Sequence, residues 1–144
     1  LDKAEVVKVN EEELHRVAEL LGIRRATSEV LGERLIRAFG IRQLLVTDGD
    51  RGAWLLDADN RRFHTGPSGA QIEVVDTVGA GDAFSAVFLF GLTQHWPIAD
   101  SLARAHHFAG RICGIRGAIP DNDDFYQPFR EEWRIGKPTL QEAQ

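Results

Sequence analysis

Residues 74–92 read Val-Val-Asp-Thr-Val-Gly-Ala-Gly-Asp-Ala-Phe-Ser-Ala-Val-Phe-Leu-Phe-Gly-Leu. A short apolar segment ends at Val75 and meets Asp76-Thr77. A glycine turn follows at Gly79-Ala80-Gly81, and behind Asp82 the apolar run Ala83 to Leu92 has the character of a buried helix. Strand, glycine turn and helix in that order aim several backbone N–H groups and the positive end of a helix dipole at one point. The carboxylate of Asp82 stands at the edge of that point. An anion hole beside a candidate general base is what phosphoryl transfer to a hydroxyl requires. Two other glycine-rich readings fail on single residues. Phe84 stands where the dinucleotide fingerprint G-x-G-x-x-G needs its third glycine, and no Gly-Lys-Ser or Gly-Lys-Thr of a P-loop occurs in the chain.

The order Asp76-Thr77-x-Gly79-Ala80-Gly81-Asp82 resembles the signature of the PfkB (ribokinase-like) sugar kinases. The resemblance implies that Asp82 is the general base taking the proton of a sugar hydroxyl, and that Gly79, Ala80 and Gly81 form the anion hole, with Asp76 and Thr77 in the nucleotide site. Small residues at 79–81 let the backbone approach a phosphoryl group closely. Preorganised donors of this kind are worth about 3–4 kcal/mol each in other enzymes. The structural alternatives are a helix-stabilising Asp82 and an ordinary tight turn.

Three further segments have both a structural and a functional reading. Asn10-x-x-Glu13 at the head of a helix satisfies the capping-box pattern, which is a sufficient account by itself. Lys8-Val9-Asn10-Glu11-Glu12-Glu13 also looks like the Asn-x-x-Glu motif of the same kinases, which implies that Asn10 and Glu13 manage Mg²⁺ near the phosphates through its water shell. Thr47-x-Gly49-x-x-Gly52-Ala53 is a turn whose glycines suit positive φ, and the resemblance makes Thr47, Gly49 and Gly52 part of the ATP site. Asp48 and Asp50 depart from that role, since they would repel a triphosphate unless turned away, met by a metal or compensated by Arg51. Asp76 with the loop Arg116 to Asp121 either caps a strand end or, as in similar kinases, encloses a monovalent cation, K⁺. His106 and His107 lie on the last long helix, and one of them, with His106 the first choice, faces the adenine pocket. His15, His64 and His95 have no companions at metal-ligand spacing, and Cys113 reads as a core residue rather than a nucleophile.

The bulk numbers agree with this reading. A chain of 144 residues with 43% hydrophobic and 27% charged content is one globular domain's worth. A net charge of −5 argues against nucleic acid or an anionic membrane as partner. The run Ala83 to Leu92 is too short to span a bilayer. No signal peptide is visible, and one cysteine fits a reducing cytosol, so a cytoplasmic location is expected. The chain begins at Leu1 and has no methionine. Since the resemblance covers roughly Ala4 to Phe129 and such kinases are about twice as long, the expectation is an ATP-binding, catalytic carboxy-terminal portion over residues 1–144. The part holding the sugar contacts and lid would lie upstream.

The predicted elements are strands at Ala4–Val9, Leu44–Thr47, Ala53–Asp57, Arg61–Thr65 and Ile72–Val75. Helices are predicted at Glu11–Leu21, from Ser28 as cap to Gly40, at Ala83–Leu92, and from Pro97 along the stripe Ile98, Leu102, Ala105, Ala109, Ile112. The chain beyond Gly117 reads as irregular, fraying at Gln141 to Gln144. Strands alternating with helices imply a Rossmann-like α/β layered fold, a largely parallel sheet flanked by helices. A half-length piece of such a sheet exposes an edge or an apolar face, so the expectation is a partner, such as a second copy in a homodimer, an absent amino-terminal half, or poor behaviour in isolation.

The function expected is an ATP- and Mg²⁺-dependent carbohydrate kinase acting on a small sugar. Ile115 to Pro120 is similar to bacterial fructokinase-like members, so fructose is the first substrate, with ribose, a nucleoside or a keto-deoxy sugar acid open. The rival from another class is a nucleotide-binding or dimerisation module without turnover. A Rossmann dehydrogenase half is disfavoured by Phe84.

Overall fold

The computed structural model describes residues 5–23, 26–67 and 73–134. Four strands, β1 (Val6–Asn10), β2 (Gln43–Thr47), β3 (Ala53–Asp57) and β4 (Arg62–Thr65), form one sheet in that spatial order. Between β1 and β2 lie α1 (Glu11–Leu20) and α2 (Ser28–Phe39); after β4 come α3 (Ala80–Thr93), α4 (Ile98–Cys113) and α5 (Gln127–Glu132).

Alternation along the strands divides the core in two. Leu45, Ala53 and Leu55 face α3, α4 and α5, packing on Phe84, Phe88, Leu102 and Ile112. Leu44, Val46 and Leu56 point the other way, onto Leu14, Leu31 and Leu35 of α1 and α2. The layered α/β architecture expected from the sequence is the one observed. The sheet is mixed: β1 pairs parallel with β2, whereas β2–β3 and β3–β4 are antiparallel. The connection lengths explain this. The two helices between β1 and β2 give room for a parallel crossover, while five residues after β2 and four after β3 only allow hairpins.

Other expectations are corrected in detail. Thr27, not Ser28, is the N-cap of α2, and the Ser28 hydroxyl instead donates to the Glu11 carboxylate at 2.6 Å. Trp54 Nε1 donates to the other Glu11 oxygen at 3.1 Å, so the head of α1 is tied to both α2 and β3. Glu73 to Val75 is not a strand; Val74 and Val75 are exposed, and Val75 N–H bonds the Cys113 carbonyl at 2.8 Å. Ile72 and the frayed end at 141–144 lie outside the described residues. The helix α3 buries Phe84, Val87 and Phe88 but leaves Leu89 53% exposed, so its all-round apolarity does not mean all-round burial. After Gly117, where no element was expected, a 3-10 turn at Asp123–Phe125 and α5 form. Phe125, Phe129 and Trp133 from this region pack with Phe108 as an aromatic cluster.

Gly52 shows how tightly the hairpin between β2 and β3 is set. It adopts φ +116°, and a β-carbon there would come within 2.0 Å of the Thr65 carbonyl oxygen. Gly49, in the same turn at φ +56°, has open space where its β-carbon would be. Gly49→Ala should therefore cost only the left-handed backbone strain, about 1–2 kcal/mol, whereas Gly52→Ala should cost more because β4 must also move. Urea unfolding of the two variants checks this, and equal losses would contradict it.

Candidate active site

The strand register places the candidate residues at one edge of the sheet. Asn10 pairs with Thr47, Thr47 with Ala53, and Ala53 with Thr65, so the carboxyl ends of β1 and β2 form a single row with the turn at 48–52. In open α/β sheets ligands bind outside the carboxyl ends of the parallel strands. A cleft of about 600 Å³ opens at this edge, a volume suited to a small-molecule ligand. Thr47, Gly49, Gly52, Thr77, Ala80, Gly81 and His106 all line it. Seven residues singled out from separate motifs are thus brought together by the fold.

Gly79 adopts φ +81° and is the N-cap of α3, with Ala80 as the first helical residue. Alanine at 79 would be excluded twice, by that φ and by Ala118, whose β-carbon lies 2.3 Å from the point a side chain would occupy. The first turn has the unsatisfied donors of a helix start. Among the described residues the N–H groups of Gly79, Gly81 and Asp82 have no acceptor, and that of Ala80 has only a 3.3 Å bond to the Thr77 carbonyl. Asp82 is exposed on the same turn, without a hydrogen-bond or ion-pair partner among the described residues.

Asp76 fixes this turn from outside the cleft lining. Its Oδ1 accepts the Val78 N–H at 2.9 Å and its Oδ2 accepts the Gly117 N–H at 3.1 Å. One side chain therefore holds the glycine turn against the loop that follows α4. Asn10 and Glu13 form the full reciprocal capping box: Glu13 N–H donates to Asn10 Oδ1, and Asn10 N–H donates to Glu13 Oε2, both at 2.8 Å. Neither lines the cleft; Asn10 sits at its edge row and Glu13 one turn along α1.

The two acids in the 48–52 turn have different situations. Asp48 is paired with Arg51 at 2.6 Å. Asp50 lines the cleft without an ion-pair partner among the described residues. His106 is only 8% exposed, its Nε2 has no hydrogen-bond partner, and burial lowers its pKa, so the ring is neutral at neutral pH.

The sequence reading found His106 but missed the rest of its wall of the cleft. His106, Ala109, Gly110 and Cys113 recur at helical spacing and line it together. The signal was present as small residues on a face shared with a histidine, but Ala109 and Cys113 had been assigned to the core. Cys113 is half-buried, and burial followed by the nearby Asp76 charge pushes its thiol pKa up, which disfavours the thiolate form.

The Val78 N–H, and after it the Gly117 N–H, hold the Asp76 carboxyl below the ordinary carboxylate range. A folded-state value below the unfolded one, near 3.9, contributes stability that is complete above the unfolded value and is lost as pH falls through the folded one. Asp76→Asn should melt below the wild type at pH 7, and the gap should close as the pH falls below about 4. Thermal unfolding across that range tests it; a gap that does not change with pH would contradict it.

Known proteins resemble this chain in sequence and fold. Residues 1–124 match the profile of the pfkB family carbohydrate kinases. The chain is 30% identical over 126 residues to a ribokinase of Arabidopsis thaliana, covering 86% of this chain and 32% of that protein. It is 37% identical over 126 residues to a fructokinase of Vibrio alginolyticus, covering 81% of this chain and 38% of the relative. The crystal structure of an adenosine kinase from Sinorhizobium meliloti superposes with a TM-score of 0.75 at 26% identity, over 89% of this chain and 36% of the other. The chain thus spans about a third of the length of the curated relatives it matches. A family match across most of the chain, on a fold and a glycine turn that agree with it, leads to one conclusion: this chain belongs to the pfkB family of carbohydrate kinases.

Proposed function

We propose that the full-length protein transfers the γ-phosphoryl group of ATP to a sugar hydroxyl, and that residues 1–144 are its nucleotide-binding and catalytic portion. The observation that carries this reading is the first turn of α3. There the N–H groups of Gly79, Gly81 and Asp82 have no acceptor among the described residues, and a carboxylate with no partner stands on the same turn.

In this reading the sugar hydroxyl lies against Asp82. Its oxygen attacks the γ-phosphorus while the proton passes to the Asp82 carboxylate. The new O–P bond forms as the bond to the β,γ-bridging oxygen breaks, and ADP leaves with that electron pair. Charge on the phosphoryl oxygens is met by the backbone donors of the Gly79–Ala80–Gly81 turn and of Asp82, those of Gly79, Gly81 and Asp82 being free of any acceptor among the described residues. Asp76 takes a bracing part, its two oxygens accepting the Val78 and Gly117 N–H groups. Thr47, Gly49, Gly52 and Thr77 border the phosphate tail. The buried, neutral His106 borders the adenine.

Mg²⁺ belongs to this chemistry, and the donors fit it when it is held through water. They are oxygens, and Glu13 Oε1 has no partner once Oε2 has accepted the Asn10 N–H. Among the described residues no group of three His, Cys, Asp or Glu forms an all-protein cage, which suits an ion carried largely by nucleotide and water. When bound, Mg²⁺ neutralises phosphate charge; Glu13 and Asn10 would orient its water shell.

Fructose is the first acceptor to try, since the Ile115 to Pro120 loop is similar to fructokinase-like members and a fructokinase is among the relatives. No helix among the described residues is long and apolar enough to cross a membrane, and the proposed setting is the cytoplasm, where ATP and sugars meet. A homodimer covering exposed apolar residues such as Leu89 is part of the proposal. A second reading, a nucleotide-binding or dimerisation module without turnover, draws on Asp50 facing the cleft without an ion-pair partner among the described residues.

Asp82→Asn and Asp82→Ala in the full-length protein should lower kcat by about 10²- to 10⁴-fold while leaving ATP affinity within a few-fold. ADP release across a panel of sugars measures the first, and calorimetric titration the second. Undiminished turnover in either variant would overturn the role of Asp82, and an active-site-intact wild type that phosphorylates none of the sugars would favour the module.

A further inference from the structure

Glu11 stands inside the Asn10–Glu13 pair without a part in the chemistry described so far. It is the first residue of α1, and its side chain is only 23% exposed. A carboxylate taken that far from water is costly unless donors meet its oxygens. Each oxygen has one. Oε2 accepts the Ser28 hydroxyl at 2.6 Å, and Oε1 accepts the Trp54 indole N–H at 3.1 Å. The His15 ring, about half exposed, lies 3.8 Å from Oε2. Neither close donor belongs to α1. Ser28 opens α2, and Trp54 lies in β3, two residues beyond Gly52 of the turn that borders the cleft.

Trp54 is itself held from two sides. Its backbone is paired with Val46 of β2 and His64 of β4. Its ring edge lies 2.9 Å from the point a β-carbon on the buried Gly32 of α2 would occupy, so the ring fills the space left by that missing side chain. Glu11 is therefore fastened to a packed surface, 43 residues away in the chain, that continues directly into the 48–52 turn. The capping box is different in kind. Asn10 and Glu13 each accept the other's backbone N–H, which shapes the first turn of α1 from within. The side-chain hydrogen bonds that tie this turn to β3 and α2 come from Glu11.

We propose that Glu11 is a positioning residue for the binding of Mg²⁺ with the nucleotide. By joining Ser28 and Trp54 it sets the first turn of α1, and with it the Glu13 carboxylate, against the turn at 48–52. The assignment rests on the nucleotide reading given above and deepens it: two motifs far apart in the chain are held as one unit. Glu11 does not line the cleft and acts only through Asn10 and Glu13. Groups that orient metal-binding residues from behind are worth about 10- to 100-fold in metal affinity or activity.

The experiment compares Glu11→Ala, Glu11→Gln, Ser28→Ala and Trp54→Phe with wild type in the full-length protein. ATP is titrated by calorimetry in Mg²⁺ and again in EDTA. Glu11→Ala should lose about 10-fold or more of the affinity that Mg²⁺ adds to ATP, with the affinity in EDTA as in the wild type. Ser28→Ala and Trp54→Phe each remove one bond and should lose a smaller part. Glutamine at 11 can accept from Trp54 and donate to the Ser28 oxygen, so Glu11→Gln should recover most of the loss. Equal losses in Mg²⁺ and EDTA would mean general damage to the cleft. A Mg²⁺ effect as large as in the wild type would mean a tie that serves the fold alone, and Gln no better than Ala would mean that charge matters rather than placement. Each of these overturns the assignment. Should Glu11→Ala not fold, Ser28→Ala and Trp54→Phe decide by the same criteria. A wild type that gains no ATP affinity from Mg²⁺ refutes the metal part of the kinase reading and this assignment with it. One that gains it yet phosphorylates no sugar refutes the kinase reading alone, and the variants still decide the part of Glu11.

Discussion

Asp76 accepts the Val78 N–H with one carboxylate oxygen and the Gly117 N–H with the other, and the arrangement of the cleft depends on that pair of bonds. They hold the turn before α3 against the loop after α4, two segments separated by about forty residues in the chain. Once they are joined, Gly79 has no space for a β-carbon against Ala118 and its φ is fixed in the left-handed region. The helix that follows is then aimed, with its first N–H groups, at a point bordering the cleft. Both bonds end on one carboxylate, so loss of that single side chain releases the two segments together.

The sheet supplies the opposite wall by a different constraint. Register is set by the alternation of Leu44 and Val46 to one core and Leu45 to the other; a slip of one residue would exchange the two faces. The same register aligns Asn10, Thr47, Ala53 and Thr65 in a row. Gly52 then meets the Thr65 carbonyl so closely that only glycine fits. The cleft is therefore set between a hydrogen-bonded loop junction and a packed strand edge, each specified independently. The Glu11 carboxylate adds a third tie, holding the head of α1, with Asn10 and Glu13, to Ser28 and Trp54.

Most of the elements were legible in the sequence because their signals are local. The capping box at Asn10 and Glu13, the left-handed stop at Gly40, the strand Ala53–Asp57 and the glycine turn at 79–81 are each decided within a few residues. The misreadings arose where a local pattern answers to distant partners. Val74 and Val75 look like strand residues, yet the Cys113 carbonyl takes the Val75 N–H and no strand forms there. Ser28 looks like a cap, but Glu11, seventeen residues away, captures its hydroxyl. The aromatic side chains of Phe125, Phe129 and Trp133 make a turn and a short helix where composition suggested none, because Phe108 gives them a surface to pack on. Of the site, the individual motifs were legible and their convergence was not. The wall from His106 to Cys113 depends on how α4 packs, which spacing alone does not reveal.

The central claim is that the turn at Gly79 to Asp82 receives a phosphoryl group in transit. A crystal structure of the full-length protein with ADP, a sugar that it phosphorylates and aluminium fluoride tests this most directly. The account predicts a fluoride group held by the N–H groups of Gly79, Gly81 and Asp82, with the Asp82 carboxylate facing the sugar hydroxyl. A fluoride group bound elsewhere, with those N–H groups facing water, would contradict it.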